Sequence, residues 1–325
     1  MTEDELVTAI AELTRREHSR VQVGIGDDAA VWQPSRSNRS VITTDALIEN
    51  VHFSLEWMSR EDAGWRAMAA NASDVAAMGA RPRLATVAFG VPPSGTPADV
   101  LECYRGMEAC ACASGIEIAG GDLTRAPVWT IAITAIGEVR PSNVKLRSGA
   151  RPGDVLTVTG ELGASRAGYL CLRGDVALPD GEADAAIRAH RRPVPRVAEG
   201  RWLGASSNVH AMMDCSDGLS TDLIRLLRAS RAGAVIEDVP VAASARAAAH
   251  RLGIDANRFG LAGGEDFELI ASVSPRAFSH LAARFKERFG RTLHRLGRIE
   301  ADERVVVVNE GREEPLERSG WDHFA

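Results

Sequence analysis

The chain has 325 residues, of which 45% are hydrophobic and 25% charged, and its formal net charge is -6. This length is sufficient for two domains with separate cores, and the negative charge gives no indication of a nucleic-acid-binding surface. No apolar run approaches the roughly 20 residues of a membrane span, and the acidic N-terminus lacks the features of a signal peptide. Five irregularly spaced cysteines favour free thiols in a reducing compartment. We therefore expect a cytoplasmic globular protein.

The first half of the chain mixes predicted strands and helices in an α+β order. Runs of β-branched residues predict strands, whereas apolar residues three and four positions apart, from Trp65 to Val75, predict a helix. Pro97 near its start and Gly115 after its end delimit a second helix. The predicted elements are strands at 21–32 and 40–48 joined by a polar turn, a helix at 61–78, a strand at 83–91, a helix at 97–113, and strands at 116–119 and 128–139 flanking a loop at 120–127.

The polar, turn-rich segment 141–152 predicts a boundary between an N-terminal domain, residues 1–147, and a C-terminal domain, residues 148–325. Strands and helices alternate beyond it as far as residue 308, so we expect an α/β fold there. The predicted elements are a strand at 154–159, a helix at 165–173, a loop at 174–181, a helical region broken at 191–196 by two prolines, a strand at 209–213 and a helix at 219–229.

Apolar segments repeatedly end in a carboxylate beside glycine or hydroxyl residues. The clusters are Gly24-Ile25-Gly26-Asp27-Asp28, Thr43-Thr44-Asp45, Asn71-Ala72-Ser73-Asp74, Gly120-Gly121-Asp122 and Asp214-Cys215-Ser216-Asp217-Gly218. Like charges raise each other's pKa when they approach, and a hard divalent cation such as Mg²⁺ relieves that repulsion. Each cluster alone has a structural alternative, because aspartate beside glycine is common in turns and at helix starts.

Asp74 is harder to explain as a turn former, because it lies within a predicted helix, where aspartate is unfavourable. Asn71, three residues earlier, shares its face, although a solvated helix face remains an alternative. The glycine pairs before Asp122 and Glu265 would let backbone N–H groups approach a phosphate closely. The chain has no Walker motif or protein-kinase signature set, and Gly24-Ile25-Gly26 lacks the third glycine of a dinucleotide fingerprint.

Eight motifs follow one another along the chain. They are Gly-Ile-Gly-Asp-Asp-Ala, Thr-Thr-Asp with His52 seven residues after Asp45, Asn-Ala-Ser-Asp-Val-Ala-Ala-Met-Gly-Ala, Gly-Gly-Asp-Leu-Thr-Arg, Arg-Ser-Gly-Ala-Arg-Pro-Gly-Asp from Arg147, Asp-Cys-Ser-Asp-Gly-Leu, Gly-Gly-Glu-Asp-Phe-Glu-Leu and a terminal Trp-Asp-His-Phe. Their order resembles that of the thiamine-monophosphate kinases, a family of the aminoimidazole-ribonucleotide-synthetase-like superfamily of ATP-using enzymes. Phe267 stands where the family usually has tyrosine, and Cys215 where it has an aliphatic residue, so apolar bulk is kept.

The resemblance implies ATP-dependent phosphorylation of thiamine monophosphate to thiamine diphosphate by direct in-line transfer, the last step of thiamine diphosphate biosynthesis. It implies several Mg²⁺ ions, with ATP as co-substrate. It also implies a homodimer whose N-terminal mixed-sheet domains pair through a β-barrel-like interface. The C-terminal domain would complete the metal and substrate site.

Residue roles follow from the same resemblance, which implies no catalytic residue beyond the metal cluster. The metal-binding residues would be Asp28, Thr43, Thr44, Asp45, Asp74, Asp122, Asp214 and Asp217. The ATP-binding residues would be Tyr104, Gly121, Asp122, Arg147 and Ser216. The residues that bind thiamine monophosphate would be His52, Glu265 and Trp321, although Trp321 could instead belong to a tail that docks on the core.

Two other classes of protein compete with this interpretation. Aminoimidazole-ribonucleotide and selenophosphate synthetases belong to the same superfamily. The latter would carry a reactive cysteine near the N-terminus, and no cysteine precedes Cys103. A non-catalytic nucleotide- or metal-binding module should have lost some of the aspartates, and all are present.

Overall fold

The computed structural model describes residues 2–16, 20–25 and 29–321. It divides into two compact units: Met1–Val75 with Ala80–Pro141 form unit 1, and Ala76–Gly79 with Ser142–Ala325 form unit 2. The functional assignment of residues 1–147 and 148–325 to two domains stays a prediction. In the part of the chain that is described, no helix is both long and apolar enough to cross a membrane.

Unit 1 is built around a four-stranded mixed sheet. Its elements are α1 (Glu3–Leu13), β1 (Val21–Val23), β2 (Val31–Trp32), β3 (Arg39–Ile48), α2 (Arg60–Ala77), β4 (Arg81–Val91), α3 (Pro97–Ser114), β5 (Glu117–Arg125) and β6 (Thr130–Val139). The strand order is β3-β6-β4-β5, with β4 and β5 parallel and the other neighbours antiparallel. α1 was not predicted; it begins with a capping box between Thr2 and Glu5.

The prediction of one strand over residues 21–32 was wrong. Two short strands, β1 and β2, form a separate antiparallel pair. β3 pairs instead with β6, which follows it by more than eighty residues. β-branched composition predicts extended backbone but not the strand partner, which depends on long-range packing.

The prediction of a loop at 120–127 was also wrong, because β5 continues through Gly120, Gly121 and Asp122 to Arg125. Gly121 lies opposite Val87 of β4. A Cβ atom at Gly121 would be 2.0 Å from the Val87 carbonyl oxygen. The glycine therefore permits a close approach of two strands, rather than a turn.

The two faces of the unit 1 sheet differ in burial. Ile133 of β6 and Val87 of β4 are fully buried on one face. On the other face, alternate residues of β3 are exposed, and Ile42 is 67% exposed. The described strands form an open sheet and not a closed barrel.

Unit 2 contains a seven-stranded sheet and seven α-helices among its described residues. Its strands are β7 (Val155–Val158), β8 (Val209–Cys215), β9 (Gly233–Ile236), β10 (Glu268–Val273), β11 (His294–Glu300), β12 (Val305–Asn309) and β13 (Arg312–Pro315). Its helices are α4 (Ala164–Arg173), α5 (Asp180–Arg191), α6 (Val197–Gly204), α7 (Leu219–Ser230), α8 (Ala243–Leu252), α9 (Ala256–Ala262) and α10 (Pro275–Phe289). The strand order is β13-β12-β9-β11-β7-β10-β8; the β9–β12 pair is parallel and the other neighbours are antiparallel.

Alternate residues of β8 and β10 belong to two separate hydrophobic clusters. Met213 and Ile270 pack in one cluster with residues of α7 and α8, whereas Met212 and Leu269 pack in the other with α6 and α10. Because successive strand residues point to opposite faces, both faces of the sheet are buried. The predicted two-domain α/β architecture is confirmed at this level.

Candidate active site

In unit 1, a polar seam joins β3 to α2. Thr43 and Asp45 are two residues apart in β3 and therefore share a face. The Thr43 hydroxyl donates to Asp74 Oδ2 over 2.5 Å, and the Asp45 N–H donates to Asn71 Oδ1 over 3.2 Å. Asp74 lies in the last turn of α2, where the helix dipole disfavours a negative charge. Helix stability does not explain a carboxylate at this position.

Thr44 points to the opposite face of β3, where its hydroxyl donates to the Ile133 carbonyl oxygen and accepts from Thr134. It therefore lies on the open face of the sheet and not in the seam. Asp28 lies outside the described residues. Among the residues that are described, no three His, Cys, Asp or Glu side chains form a group that could hold a metal ion.

Tyr104 of α3 and Asp122 of β5 both lie beside β4. Tyr104, in α3, is buried, and its ring centroid lies 5.8 Å from that of Phe89. Burial raises the pKa of Tyr104, and the negative charge of Asp122 contributes to the increase. Tyr104 therefore packs in the core, whereas Asp122 is exposed.

His52 lies in the turn that follows β3. Its Nδ1 atom accepts a hydrogen bond from the Ile48 N–H over 3.0 Å, and its carbonyl oxygen accepts one from Arg66 over 3.4 Å. A neutral imidazole that accepts at Nδ1 carries its proton on Nε2. His52 is therefore oriented to donate from Nε2.

In unit 2, the loop after β8 is held by the start of α7. Asp222 Oδ2 accepts the N–H groups of Ser216 and Asp217 over 3.0 and 2.9 Å. Burial and the nearby Asp217 raise the pKa of Asp222 to about 6, while the backbone N–H groups and Arg225 oppose that increase. Arg225 donates to both Asp217 and Asp222. Sequence reasoning missed Asp222 and Arg225, although their spacing of three on one helix is a signal for an ion pair.

Two further segments of unit 2 contact this loop. The Glu265 N–H donates to the Ser216 carbonyl oxygen over 2.7 Å, and the Trp321 N–H donates to the Asp217 carbonyl oxygen over 2.9 Å. The backbone of the C-terminal segment thus docks on the loop, but the Trp321 residue remains 50% exposed. The structure therefore brings Ser216, Asp217, Glu265 and Trp321 together. Asp214, near the end of β8, is buried and lies two residues before Ser216 in sequence.

Arg147 lies elsewhere in unit 2. Its carbonyl oxygen accepts a hydrogen bond from the Ser230 hydroxyl over 2.6 Å. Ser230 is the last of the 12 residues of α7, so about 18 Å of helix separates it from the Ser216 loop. The Arg147 backbone does not lie beside the other predicted ATP-binding residue of this unit, Ser216.

The residues after Glu265 also carry buried charge that was not predicted. Asp266 accepts the N–H groups of Gly163 and Ser165 at the start of α4, over 2.6 and 3.1 Å. Burial raises the pKa of Asp266 to about 7, although these two hydrogen bonds oppose the increase. Glu268 accepts two hydrogen bonds from Arg196 and one from Arg291. These contacts fix the chain directly after Glu265.

Comparisons with known proteins place this arrangement in a family. The models of the AIR synthase related protein match it over residues 26–139 for the N-terminal domain and 151–309 for the C-terminal domain. The thiamine-monophosphate kinase of Synechococcus elongatus is 37% identical over 92% of this chain and 91% of that protein. The chain belongs to the thiamine-monophosphate kinase family. The resemblance predicted from its eight motifs is confirmed.

Solved structures of thiamine-monophosphate kinases share the fold over nearly the whole chain. The enzyme from Stenotrophomonas maltophilia superposes with a TM-score of 0.84 at 33% identity, covering 96% of this chain and 98% of that one. AaThiL complexed with AMPPCP and TMP superposes with a TM-score of 0.78 at 29% identity, covering 99% and 97%. The second structure is a complex with an ATP analogue and TMP.

Proposed function

We propose that this protein transfers the γ-phosphoryl group of ATP to thiamine monophosphate and so forms thiamine diphosphate, the last step of thiamine diphosphate biosynthesis. Membership of the thiamine-monophosphate kinase family supports this activity, as does the full-length similarity to AaThiL, which was solved with AMPPCP and TMP. The observation that carries the proposal is the meeting of Ser216, Asp217, Glu265 and Trp321 at one loop of unit 2. Hydroxyl, carboxylate and indole groups there suit a substrate with a phosphate and a cationic aromatic ring.

Both substrates are phosphate anions, so their mutual repulsion is the main electrostatic problem. Two unit charges about 4 Å apart repel by about 4 kcal/mol at an effective dielectric constant near 20. Bound Mg²⁺ ions would neutralise negative charge on the phosphate oxygens. The proposed ligands are Asp28, Thr43, Thr44, Asp45, Asp74, Asp122, Asp214 and Asp217.

The described donors fit Mg²⁺ in their chemistry. They are hydroxyl and carboxylate oxygens, and Mg²⁺ is usually held by one or two carboxylates together with waters and substrate phosphates. The seam between β3 and α2, with Thr43, Asp45 and Asp74, supplies donors of this kind. It does not require that protein atoms surround the ion completely. Thr44 fits less directly, because its hydroxyl is on the other face of β3.

The proposed nucleotide contacts are Tyr104, Gly121, Asp122, Arg147 and Ser216. Gly121 is exposed on β5, an edge strand of the sheet, so a phosphate or ring could approach its backbone. Ser216 presents a hydroxyl on a loop whose backbone is already fixed by Asp222. Tyr104 would act from within the core, where it is buried against Phe89.

The proposed contacts to thiamine monophosphate are His52, Glu265 and Trp321. His52 would donate from Nε2 to a phosphate oxygen, because its Nδ1 accepts from the backbone. The Trp321 indole would stack on a heteroaromatic ring, and the Glu265 carboxylate would attract the positive charge of the thiazolium. The acceptor phosphate is largely ionised near neutral pH, so no general base is required, and transfer is direct, without a phosphoenzyme.

We also propose that the protein is a homodimer that pairs through the open face of the unit 1 sheet. Exposed residues of β3 on that face include Ile42, which is 67% exposed. A second copy would cover this face, and a barrel-like interface would remove its exposed strand edges.

A coupled assay of ADP formation tests the activity. ADP should form only when ATP, Mg²⁺ and thiamine monophosphate are all present, and thiamine diphosphate should appear in equal amount. ATP consumption that needs an aminoimidazole precursor or selenide would instead favour the synthetases of the superfamily. Binding without turnover would favour the non-catalytic module.

A further inference from the structure

The backbone around Glu265 is held in an uncommon conformation. Glu265 and Phe267 have φ angles of +64° and +51°, in the left-handed region that non-glycine residues rarely adopt. Hydrogen bonds from the Glu265 N–H to Ser216 and from the Phe267 N–H to Cys215, over 2.7 and 3.0 Å, hold this backbone. Left-handed residues held in this way concentrate at functional sites. The two hydrogen bonds fix the Glu265 backbone but do not determine the direction of its carboxylate.

His190 provides a contact to that carboxylate. It is the penultimate residue of α5, and it is only 4% exposed. Its Nδ1 atom lies 3.6 Å from Glu265 Oε2 and 3.1 Å from the Ser165 hydroxyl oxygen. The imidazole ring centroid is 5.5 Å from that of Tyr169. Packing therefore limits rotation of the imidazole ring and keeps Nδ1 beside both the Ser165 hydroxyl and the Glu265 carboxylate.

Ser165 connects this contact to the next carboxylate along the chain. Its N–H donates to Asp266 over 3.1 Å, while its hydroxyl meets His190 over 3.1 Å. The start of α4 thus anchors Asp266 directly and Glu265 through His190. Two successive carboxylates are fixed by one short segment of α4.

We propose that His190 is a positioning residue that directs the Glu265 carboxylate toward the cationic ring of thiamine monophosphate. This inference rests on the proposed function. The present separation of 3.6 Å is longer than a hydrogen bond, and it shortens when the substrate binds, as contacts in active sites often do. His190 itself does not touch the substrate.

Substitutions of His190 distinguish a role in positioning Glu265 from a role in packing. His190→Asn retains an N–H group near the place of Nδ1, whereas His190→Gln moves the amide one bond further away. We expect the KM for thiamine monophosphate to rise about tenfold in His190→Gln and in His190→Ala, which corresponds to about 1.4 kcal/mol. The KM for ATP should stay unchanged, and His190→Asn should restore most of the affinity.

His210→Ala is the matched control, because it removes a second histidine that contacts a carboxylate: His210 is partly buried and its Nδ1 lies 2.9 Å from Asp154. His210 lies near the start of β8, and the Ser216 loop follows the end of that strand. This variant should lower thermal stability without changing the KM for thiamine monophosphate.

A double-mutant cycle with Glu265→Gln tests whether His190 affects the KM for thiamine monophosphate through Glu265. If His190 acts through Glu265, His190→Ala should raise the KM about tenfold in the wild-type background and by less than about twofold in the Glu265→Gln background. Equal effects in both backgrounds, or a KM unchanged by His190→Gln in an active enzyme, would overturn the inference. Failure of the wild-type protein to phosphorylate thiamine monophosphate would instead overturn the proposed function.

Discussion

At the scale of single residues, Asp74 is a carboxylate that neither a turn nor the stability of its helix explains. It lies in the last turn of α2 and accepts from Thr43. Asp74→Asn keeps the size of the side chain and the acceptor but removes the charge that the proposed metal needs. We expect kcat/KM to fall about 100-fold or more at saturating Mg²⁺, with little change in thermal stability.

Glu61→Gln is a suitable control for Asp74→Asn, because it removes one negative charge from the first turn of the same helix. Its activity should match that of the wild-type protein. Wild-type turnover in Asp74→Asn would exclude Asp74 from the site.

The half-exposed indole of Trp321 gives a second residue-level prediction. Because this residue is 50% exposed, Trp321→Ala should change the thermal midpoint little. Loss of ring stacking should raise the KM for thiamine monophosphate about fivefold and leave the KM for ATP unchanged. Trp321→Phe should retain part of the affinity. A fall in stability with normal substrate affinity would show that Trp321 packs the tail on the core.

Sequence reasoning found the proposed ligands but not the residues that hold them. Asp217, Glu265 and Trp321 were singled out by motif order, and the structure brings them to one loop. Asp222 and Arg225 were missed although their spacing of three is a local signal for an ion pair. His190 was missed because its contacts are to Ser165 and Glu265, which are distant in sequence. Such contacts depend on tertiary structure, which local patterns do not contain.

At the scale of elements, the bounds of helices were predicted more accurately than those of strands, because strand pairing depends on tertiary structure. The bounds of α2, α3 and α7 were predicted to within one residue at each end, because apolar periodicity and terminal glycine and proline are local signals. β5 was cut short because Gly120 and Gly121 were interpreted as a loop. Its continuation depends on pairing with β4, and local sequence patterns do not predict that pairing.

The two glycines of β5 provide a matched test of this account. A Cβ atom at Gly121 would lie 2.0 Å from the Val87 carbonyl oxygen, whereas one at Gly120 would have no heavy atom within 4 Å. Gly121→Ala should therefore force β5 away from β4 and destabilise the protein by about 1–3 kcal/mol or more. Gly120→Ala should be tolerated, as measured by thermal unfolding. Equal midpoints for the two variants would contradict the close approach.

At the scale of the whole molecule, the open face of the unit 1 sheet leads to a prediction about assembly. Sedimentation at micromolar concentration should show a species of twice the 34.7 kDa chain mass. Ile42→Glu places a charge on the exposed face of β3 and should shift the protein toward the single chain, because a buried unpaired charge is costly. A wild-type protein that sediments only at the mass of one chain would exclude the dimer.

Transfer of labelled phosphate from ATP tests the central claim most directly. The protein is incubated with Mg²⁺, thiamine monophosphate and ATP labelled at the γ-phosphorus, and the products are separated. We predict that the label appears in the terminal phosphate of thiamine diphosphate, one equivalent for each ADP formed, and that no labelled protein accumulates. Label released as inorganic phosphate, retained on the protein or left in ATP would contradict direct transfer to thiamine monophosphate.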